Sequence, residues 1–315
     1  MGLREDFGRV GVLSGGPSTE REISLKSGAA VYEALTGAGI NAVQVEITSD
    51  DHDRNIDLIK KSGINCAFIA LHGYFGEDGG IQEILDQMAL PYTGSGSAAS
   101  RLAMDKVASR RVFEGRGIRV PRYEVFDKSF YESGRALRSK LKFPLVVKPS
   151  AQGSSLGLTI VKKEDGLKRA LEHAFSFDAR AVAEEYVDGR EITAGILDEK
   201  PLPIVEIIPK QGVFDFEAKY QPGLTQYVVP ADLNGKLTSS AQAAGLSAHK
   251  SLGCRGCSRV DMILGEEGIV YVLEVNTIPG FTETSLLPKA AKSAGCGFGE
   301  LCLKLIELAY EKTKN

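Results

Sequence analysis

The stretch VLEVNTIPG, residues 272–280, is an apolar run typical of a β-strand that ends in an acid, an amide and a Pro-Gly break. Side chains alternate between the two faces of an extended strand. We therefore expect Glu274 and Asn276 to project to one face and Leu273 and Val275 to project to the other. A carboxylate and a carboxamide on one face offer their oxygen atoms to a common ligand.

A second stretch, SRVDMIL at residues 258–264, has the same character, because Arg259 and Asp261 are two positions apart in an apolar, β-branched run. If the two stretches pair as a hairpin across the GEEG turn at 265–268, three oxygen-bearing side chains converge. Such oxygens suit a hard divalent cation such as Mg²⁺, which also takes phosphate oxygens from a nucleotide. The alternative is a pair of edge strands with solvated charges, and the two stretches together favour the metal site.

The composition describes a globular protein of more than one domain. A chain of 315 residues exceeds the size at which one hydrophobic core stops growing, so two or three domains are expected. Apolar residues make up 43%, charged residues make up 25% and the net charge is -3, which argues against a polyanion-binding surface and against nucleic acid as a partner. No apolar run reaches the roughly 18 residues of a membrane span. Because MGLREDFGRV also lacks the apolar core of a signal peptide, we expect a cytoplasmic protein that does not bind membranes.

The five cysteines fit reduced thiols better than a disulfide framework, because their number is odd and the chain is long. Cys254 and Cys257 form a C-x-x-C pair with His249 nearby. A structural zinc site needs four ligands. Neither metal binding nor redox chemistry is therefore predicted at this pair.

The first hundred residues alternate strand-like and helix-like stretches. Strands are predicted at RVGVL, NAVQVEI and NCAFIAL, and helices are predicted at 20–35 and around IQEILDQMA. This pattern predicts a parallel sheet covered by helices, with the glycine-containing loops at 15–16 and 73–80 at the carboxyl edge, where ligands bind. The first loop lacks the G-x-G-x-x-G pattern, so a nicotinamide cofactor is not predicted.

The pattern changes after a helix in MDKVASRRVFEGRG. Short strands at LVVKPS, LTIVKK and RAVAEEYV enclose one helix near 167–174, which predicts a compact α+β domain. The stretches REITAGIL and LPIVEIIP and the hairpin follow, with helices at 239–252 and 298–312. The predicted domains are accordingly 1–104, 105–188 and 189–315.

Two glycine-containing loops are candidates for ligand binding. In VVKPSAQGSSLG, Lys148 ends a strand and the loop 153–157 could wrap backbone N–H groups around a phosphate, whereas the alternative is a hairpin turn. In GGPSTEREIS, Thr19 and Glu22 have the spacing of a capping box, and Glu20 would complement the helix dipole. A functional Glu20 would instead hold an ammonium group, and sequence physics leaves both interpretations open.

Two polar segments are further candidates. VAEEYVDGRE places residues 184–187 at the end of a strand, where a linker between domains can present backbone groups to a base, and Glu191 lies just beyond. The alternative for these acids is an ordinary solvated surface. FEAKYQPGLTQY places Lys219 and Tyr220 in a polar stretch with a Pro-Gly hinge, which indicates either a mobile flap or an ordinary exposed loop.

Taken together, these motifs resemble the D-alanine–D-alanine ligase family of ATP-grasp enzymes. The motifs are, in order, GGPSTEREIS, ALHGYFGEDG, LPYTGSG, MDK, VKPSAQGSSLG, EAKY with TQY, GCSRVDM and LEVNTIPGFTETSL. The resemblance covers almost the entire chain. It implies an ATP-grasp fold of the α/β and α+β classes, in which an N-terminal Rossmann-like parallel-sheet domain is followed by two α+β domains that sandwich ATP.

The resemblance also implies which residues bind nucleotide and metal. The phosphates of ATP would be contacted by Lys106, Lys148 and Lys219. The adenine would be bordered by Glu184, Tyr186 and Val187, and the ribose would be bound by Glu191. Two Mg²⁺ ions, or Mn²⁺, would be held by Asp261, Glu274 and Asn276.

Two D-alanines are the implied substrates. The first would place its ammonium group on Glu20, with Ser154 and Tyr220 hydrogen-bonding nearby to latch the flap. Arg259 and the backbone N–H of Gly280 would stabilise the tetrahedral oxyanion. The remaining substrate contacts are implied for His72 and, at the second D-alanine, for Ser285 and Leu286.

The implied activity is the ATP-dependent joining of two D-alanines through an acylphosphate, for peptidoglycan synthesis, by a homodimer. The phosphate loop reads SAQGSS where the family commonly has an Arg-Glu pair, and Glu185 and Tyr186 stand where Lys and Trp are frequent. The alternatives are a ligase with another acceptor, D-lactate or D-serine, and a non-catalytic nucleotide sensor. Tyr220 argues against D-lactate, and the retained metal ligands and Arg259 argue against the sensor.

Overall fold

The computed structural model describes residues 7–133, 138–210 and 223–311. Within these ranges the strands form three sheets. The strands are β1 (Val10–Gly15), β2 (Ala42–Ile47), β3 (Cys66–Ile69), β4 (Tyr123–Asp127), β5 (Leu145–Pro149), β6 (Thr159–Val161), β7 (Arg180–Glu185), β8 (Gly189–Leu197), β9 (Lys200–Pro201), β10 (Val205–Pro209), β11 (Thr225–Val228), β12 (Cys257–Gly265) and β13 (Val270–Asn276). The helices are α1 (Arg21–Gly37), α2 (His52–Ser62), α3 (Gly80–Gln87), α4 (Ser97–Met104), α5 (Lys106–Gly115), α6 (Lys128–Glu132), α7 (Leu167–Phe175), α8 (Gly235–Ser251), α9 (Leu286–Ser293) and α10 (Phe298–Glu311). None of these helices has the length and apolarity that crossing a membrane requires.

The N-terminal sheet is parallel, as predicted, in the order β2-β1-β3. Its central strand is buried along its whole length, which explains why RVGVL reads as a nearly continuous apolar run. Helix α1 packs on this sheet, and α10 packs along α1 although it lies at the other end of the described chain. Side chains of α10, such as Leu305 and Ile306, share one hydrophobic core with Val31 and Leu35 of α1.

The second sheet is antiparallel, in the order β4-β7-β5-β6, and α7 covers one of its faces. Leu167 and Leu171 of α7 share a buried core with Leu145 and Val147 of β5. The predicted short strands around one helix are therefore confirmed. Strand β6 follows the glycine-serine loop and pairs with β5, so this loop joins two strands and is not a Walker A loop.

The third sheet is antiparallel and has the order β11-β10-β8-β12-β13, with the short β9 paired to β8. Its hydrophobic core includes Ala241 and Ala248 of α8 and Phe113 of α5. The predicted hairpin is formed by β12 and β13, in a register that places Arg259 opposite Asn276. The three sheets confirm the predicted fold class, whereas the predicted domain limits stay a prediction.

One detail of the hairpin prediction is wrong. The register shifts within the pair, so that Asp261 lies opposite Glu274 but Met262 lies opposite Val272. Leu273 is therefore an extra residue in the longer strand, a β-bulge, and strict alternation of faces stops there. The side chain of Leu273 lines the same cleft as that of Glu274, instead of projecting to the opposite face.

The predicted capping box at the start of α1 is also wrong. The helix begins at Arg21, its N-cap residue is Glu20, and no side chain caps it. Thr19 thus lies outside the helix and Glu22 is its second residue, whereas a capping box needs the acid at the third. The hydroxyl of Ser18 accepts a hydrogen bond from the Glu20 backbone N–H at 3.1 Å instead.

Candidate active site

Two cavities of similar size meet at one point of the molecule. The inter-sheet cleft, about 360 Å³, lies between the second and third sheets. The N-terminal cavity, about 370 Å³, lies between the loops of the N-terminal sheet and the segment from β13 to α9. Lys106, Gln152 and Glu274 line both. A ligand that fills the inter-sheet cleft can therefore present one end to a second ligand in the N-terminal cavity.

The inter-sheet cleft has apolar walls and a polar inner end. Its apolar walls include Val146, Ile160, Ile207, Ile263 and Leu273. The predicted nucleotide-binding residues of the described chain all line it, namely Lys106, Lys148, Glu184, Tyr186, Val187 and Glu191. Apolar walls with a few polar groups are typical of small-molecule and cofactor sites.

The inner end of the cleft contains a buried cluster of charges. Lys148 Nζ lies 2.8 Å from Glu184 Oε1, and Arg110 pairs with Oε2 of the same carboxylate. Burial by itself raises the pKa of Glu184, but the charges of Arg110 and Lys148 outweigh it and hold that pKa below its usual value. Burial lowers the pKa of Lys148, and the carboxylate of Glu184 opposes this shift. The cluster keeps the acid ionised in an apolar setting.

The loop after β5 has the backbone geometry of a ligand clamp. Ser154 and Ser155 both have positive φ angles, 51° and 57°, which non-glycine residues rarely adopt and which occur often at binding sites. The loop is anchored at its start, where the Ala151 N–H donates to Asp178 Oδ2 at 2.7 Å. Lys106 Nζ donates to the carbonyl oxygen of Gln152 at 2.6 Å. The loop is thus fixed to α5 and to the segment before β7.

The end of the hairpin brings the predicted metal ligands together. Asp261 and Glu274 lie directly opposite each other, and the Asn276 Oδ1 accepts a hydrogen bond from the Ile278 N–H at 3.0 Å. Asp261 is paired with Arg259, and Glu274 lies 3.2 Å from Lys106 Nζ. Two carboxylates and a carboxamide oxygen form a hard donor set that fits Mg²⁺ or Mn²⁺. Within the described residues no cluster of three or more His, Cys, Asp or Glu side chains is suited to a metal.

Glu20 and Ser154 meet in the N-terminal cavity. The Ser154 hydroxyl donates a hydrogen bond to Glu20 Oε1, and Glu20 is only 6% exposed. Gly73 also lies close to the Glu20 carboxylate. A Cβ at position 73 would lie 2.6 Å from Glu20 Oε2, so a side chain there would clash. A buried carboxylate at the wall of a cavity is suited to binding an ammonium group.

His72 lies in the same cavity and is held from two sides. Its Nε2 lies 3.0 Å from Ser27 Oγ, and its Nδ1 lies 3.3 Å from Glu77 Oε1. Burial raises the pKa of Glu77. Ser27 and Glu77 line the cavity but were not predicted from the sequence. The signal for Ser27 is its position seven residues after Glu20, two turns further along one face of α1.

Ser285, Leu286 and Gly280 line the far side of the N-terminal cavity with Arg259. Ser285 is the N-cap residue of α9, and a Cβ on Gly280 would lie 2.9 Å from its hydroxyl oxygen. Tyr227 lies in the same wall and was not predicted. Lys219 and Tyr220, the predicted flap residues, lie outside the described residues.

The C-x-x-C pair lines neither cavity. Cys254 and Cys257 are buried thiols, and burial raises their pKa values to about 11 and about 12. His249 instead pairs with Ser258, at 2.7 Å between Nδ1 and Oγ.

Comparison with known families agrees with this geometry. Residues 112–307 match the model of the D-ala D-ala ligase C-terminus, and residues 50–95 match that of the D-ala D-ala ligase N-terminus. The chain belongs to the D-alanine–D-alanine ligase family. The ligase of Geotalea uraniireducens is 45% identical over 307 residues, which cover 96% of each chain.

Solved structures of the family have the same fold. The D-alanine–D-alanine ligase of Bacillus anthracis, complexed with ATP, is 35% identical with a TM-score of 0.84 and covers 97% of this chain and 98% of its own. The VanG D-Ala:D-Ser ligase of Enterococcus faecalis is 29% identical with a TM-score of 0.82, and the match covers 96% of this chain and 99% of the VanG chain. The family and the ATP-grasp fold predicted from the motifs are therefore confirmed.

Proposed function

We propose that this chain joins two D-alanines into D-alanyl-D-alanine and converts ATP to ADP and phosphate, for peptidoglycan synthesis. The observation that carries the proposal is the meeting of the two cavities at Lys106, Gln152 and Glu274. A nucleotide in the inter-sheet cleft would have its terminal phosphate at this point, next to an amino acid in the N-terminal cavity.

The nucleotide would lie with its base between the apolar walls of the cleft. Glu184, Tyr186 and Val187 would border the base, and Glu191 would bind the ribose. The phosphates would be contacted by Lys106, Lys148 and, from the predicted flap, Lys219. The residues that would hold two Mg²⁺ or Mn²⁺ ions are Asp261, Glu274 and Asn276, and the ions would neutralise phosphate charge during transfer.

In the first step Glu20 would hold the ammonium group of one D-alanine and orient its carboxylate toward the γ-phosphate. Attack of a carboxylate oxygen on that phosphorus would give D-alanyl phosphate and ADP. Ser154 would hold Glu20 in place, and Tyr220 would latch the flap over the site. Water must be excluded here, because an exposed acylphosphate would hydrolyse.

In the second step the deprotonated amine of the second D-alanine would attack the acyl carbon. Ser285 and Leu286 would position this molecule, with His72 binding substrate on the opposite wall. Arg259 and the backbone N–H of Gly280 would stabilise the tetrahedral oxyanion. Collapse of this intermediate would release phosphate and form the peptide bond.

The remaining parts of the proposal concern organisation. We propose a homodimer that acts in the cytoplasm, with domains at 1–104, 105–188 and 189–315. The support is membership of the family, whose models match residues 50–95 and 112–307.

The test is a phosphate-release assay with ATP, Mg²⁺ and either single D- or L-amino acids or D-alanine together with D-serine or D-lactate, followed by the mass of the product. The expected result is release of phosphate with D-alanine and a product with the mass of D-alanyl-D-alanine. Exclusive formation of a mixed product with D-serine or D-lactate would replace the proposed acceptor. Absence of turnover with every compound, together with tight ATP binding, would support a sensor instead.

A further inference from the structure

Arg110 is a fully buried charge directly behind the inter-sheet cleft. It has 0% exposure and lies on α5, four residues after Lys106, on the buried face of the helix. Its guanidinium pairs with Glu184 Oε2, and its Cζ lies 5.1 Å from the centroid of the Tyr123 ring. Within the described ranges, its Nε and Nη1 atoms have no hydrogen-bond partner. Its charge is therefore directed at one acid, Glu184.

Glu184 is shared between two cations in different positions. Lys148 and Glu184 both line the inter-sheet cleft, whereas Arg110 does not. Lys148 binds the Oε1 atom at 2.8 Å from the cleft side, and Arg110 binds the Oε2 atom from the opposite side. The three side chains carry two positive charges and one negative charge, so the net charge of the cluster is positive. The positive charge that faces the cleft is that of Lys148, where the proposed function places the phosphates.

We propose that Arg110 is a positioning residue that neutralises Glu184 from behind the cleft, so that the Lys148 ammonium group remains available to a phosphate of the nucleotide. The inference rests on the proposed function and adds a residue that touches neither nucleotide nor substrate. Without Arg110, Lys148 and Glu184 would form a neutral buried pair. The ammonium group would then have to leave its carboxylate to bind phosphate, and an uncompensated charge would stay behind.

The experiment compares ADP with adenosine, which lacks the diphosphate group but is otherwise the same. Dissociation constants for ADP and adenosine are measured by calorimetry on the full chain, in one magnesium-containing buffer, and the ratio of the two constants reports the phosphate contribution. Arg110→Met should raise the dissociation constant of ADP by about tenfold to a hundredfold, the range for a hydrogen bond to a charged group. The dissociation constant of adenosine should change less than about threefold. Arg110→Lys should restore most of the ratio. Arg111→Met, which removes the neighbouring exposed charge on the same helix, is the matched control and should leave the ratio unchanged.

The double variant separates this role from a structural one. In the Glu184→Gln background no carboxylate remains to occupy Lys148, so adding Arg110→Met should change the ratio less than threefold. Circular dichroism and thermal unfolding show whether each variant is folded. If Arg110→Met alone does not fold, the comparison of Glu184→Gln with the double variant is the test.

Equal weakening of ADP and adenosine, an unchanged ratio in Arg110→Met, or a full loss that persists in the Glu184→Gln background would each overturn the inference. Wild-type protein that binds neither ligand would overturn the proposed nucleotide site as well. Wild-type turnover with D-alanine and an unchanged ratio in Arg110→Met would overturn the role of Arg110 alone.

Discussion

Arg259 and Asp261 are joined by two parallel hydrogen bonds, Nε to Oδ1 and Nη2 to Oδ2, each 2.8 Å long. The Oδ1 atom also accepts a hydrogen bond from the Thr193 hydroxyl at 2.8 Å. Bidentate pairing of this kind sets the plane of the guanidinium group as well as the place of its charge. The proposed oxyanion donor and one proposed metal ligand thus depend on each other for their geometry.

Arg259→Lys is expected to retain the positive charge and lose the planar pairing. We predict a fall in kcat of about 10²–10³, the usual effect of removing one oxyanion donor, with a much smaller change in the KM for ATP. Steady-state phosphate release measures both. Arg255→Lys, a substitution at a residue that lines neither cavity, is the control. A large rise in the KM for ATP with kcat unchanged would contradict the proposed role of Arg259.

Glu274→Gln is expected to abolish turnover while the protein stays folded. The substitution keeps the shape of the side chain but removes the charge opposite Asp261 and beside Lys106, which weakens a hard cation site. Phosphate release is measured across a titration of Mg²⁺, with thermal unfolding as the check on folding. Glu267→Gln, at the exposed turn of the same hairpin, should behave as wild type. Near-normal turnover in Glu274→Gln would rule out the assigned metal ligand.

The stability of the fold should depend on pH through His249. Burial lowers the pKa of this ring from 6.5 to about 4, so the unfolded chain binds a proton more readily than the folded chain. The free energy of unfolding should therefore fall as the pH falls from 6.5 to 4, by about 3 kcal/mol, because one pKa unit corresponds to about 1.4 kcal/mol.

Urea unfolding at pH 7 and pH 4.5 tests this dependence on His249. His249→Gln should be less stable than wild type at pH 7 and should lose less stability at pH 4.5, whereas the exposed His173→Gln should follow wild type. An identical loss in wild type and His249→Gln would assign the pH dependence to other groups.

The thiols should react with an external disulfide reagent in a fixed order. Burial raises the pKa values of Cys66, Cys257 and Cys302 to about 12 and that of Cys254 to about 11, so almost no thiolate is present at neutral pH. Cys296 is only half-buried and should react first. A colorimetric thiol assay should show one fast thiol in the native protein, which Cys296→Ser removes. Several thiols that react at one rate in the native state would contradict the burial described here.

Much of the fold and of the site follows from patterns that are local in the chain. The hairpin is predictable because its polar residues recur every second position on both strands, which meet across a short turn. The bulge at Leu273 is not predictable in this way, because the shift depends on how β13 is held against β12 and not on the order of apolar and polar residues. The capping box prediction failed because α1 begins at Arg21, so Thr19 and Glu22 do not stand at the N-cap and third positions of the helix.

Residues that act behind the site leave a weaker trace in the sequence. Arg110 is four positions from Lys106 on a helix, which identifies a shared face, but nothing in that spacing identifies Glu184 as its partner on a distant strand. Ser27 reaches His72 from α1, 45 residues away in the chain, whereas Glu77 lies only five residues after His72 in the same motif. The contact of Ser27 depends on tertiary packing, whereas His72 was predicted from a family motif.

The packing of α10 along α1 has a consequence for how the protein is made. One apolar face of the N-terminal layer is covered by α10, a helix that is synthesised after both later sheets. During translation that face stays exposed while the two later sheets emerge from the ribosome, although N-terminal units usually fold first. The N-terminal layer can therefore complete its core only after α10 has emerged from the ribosome.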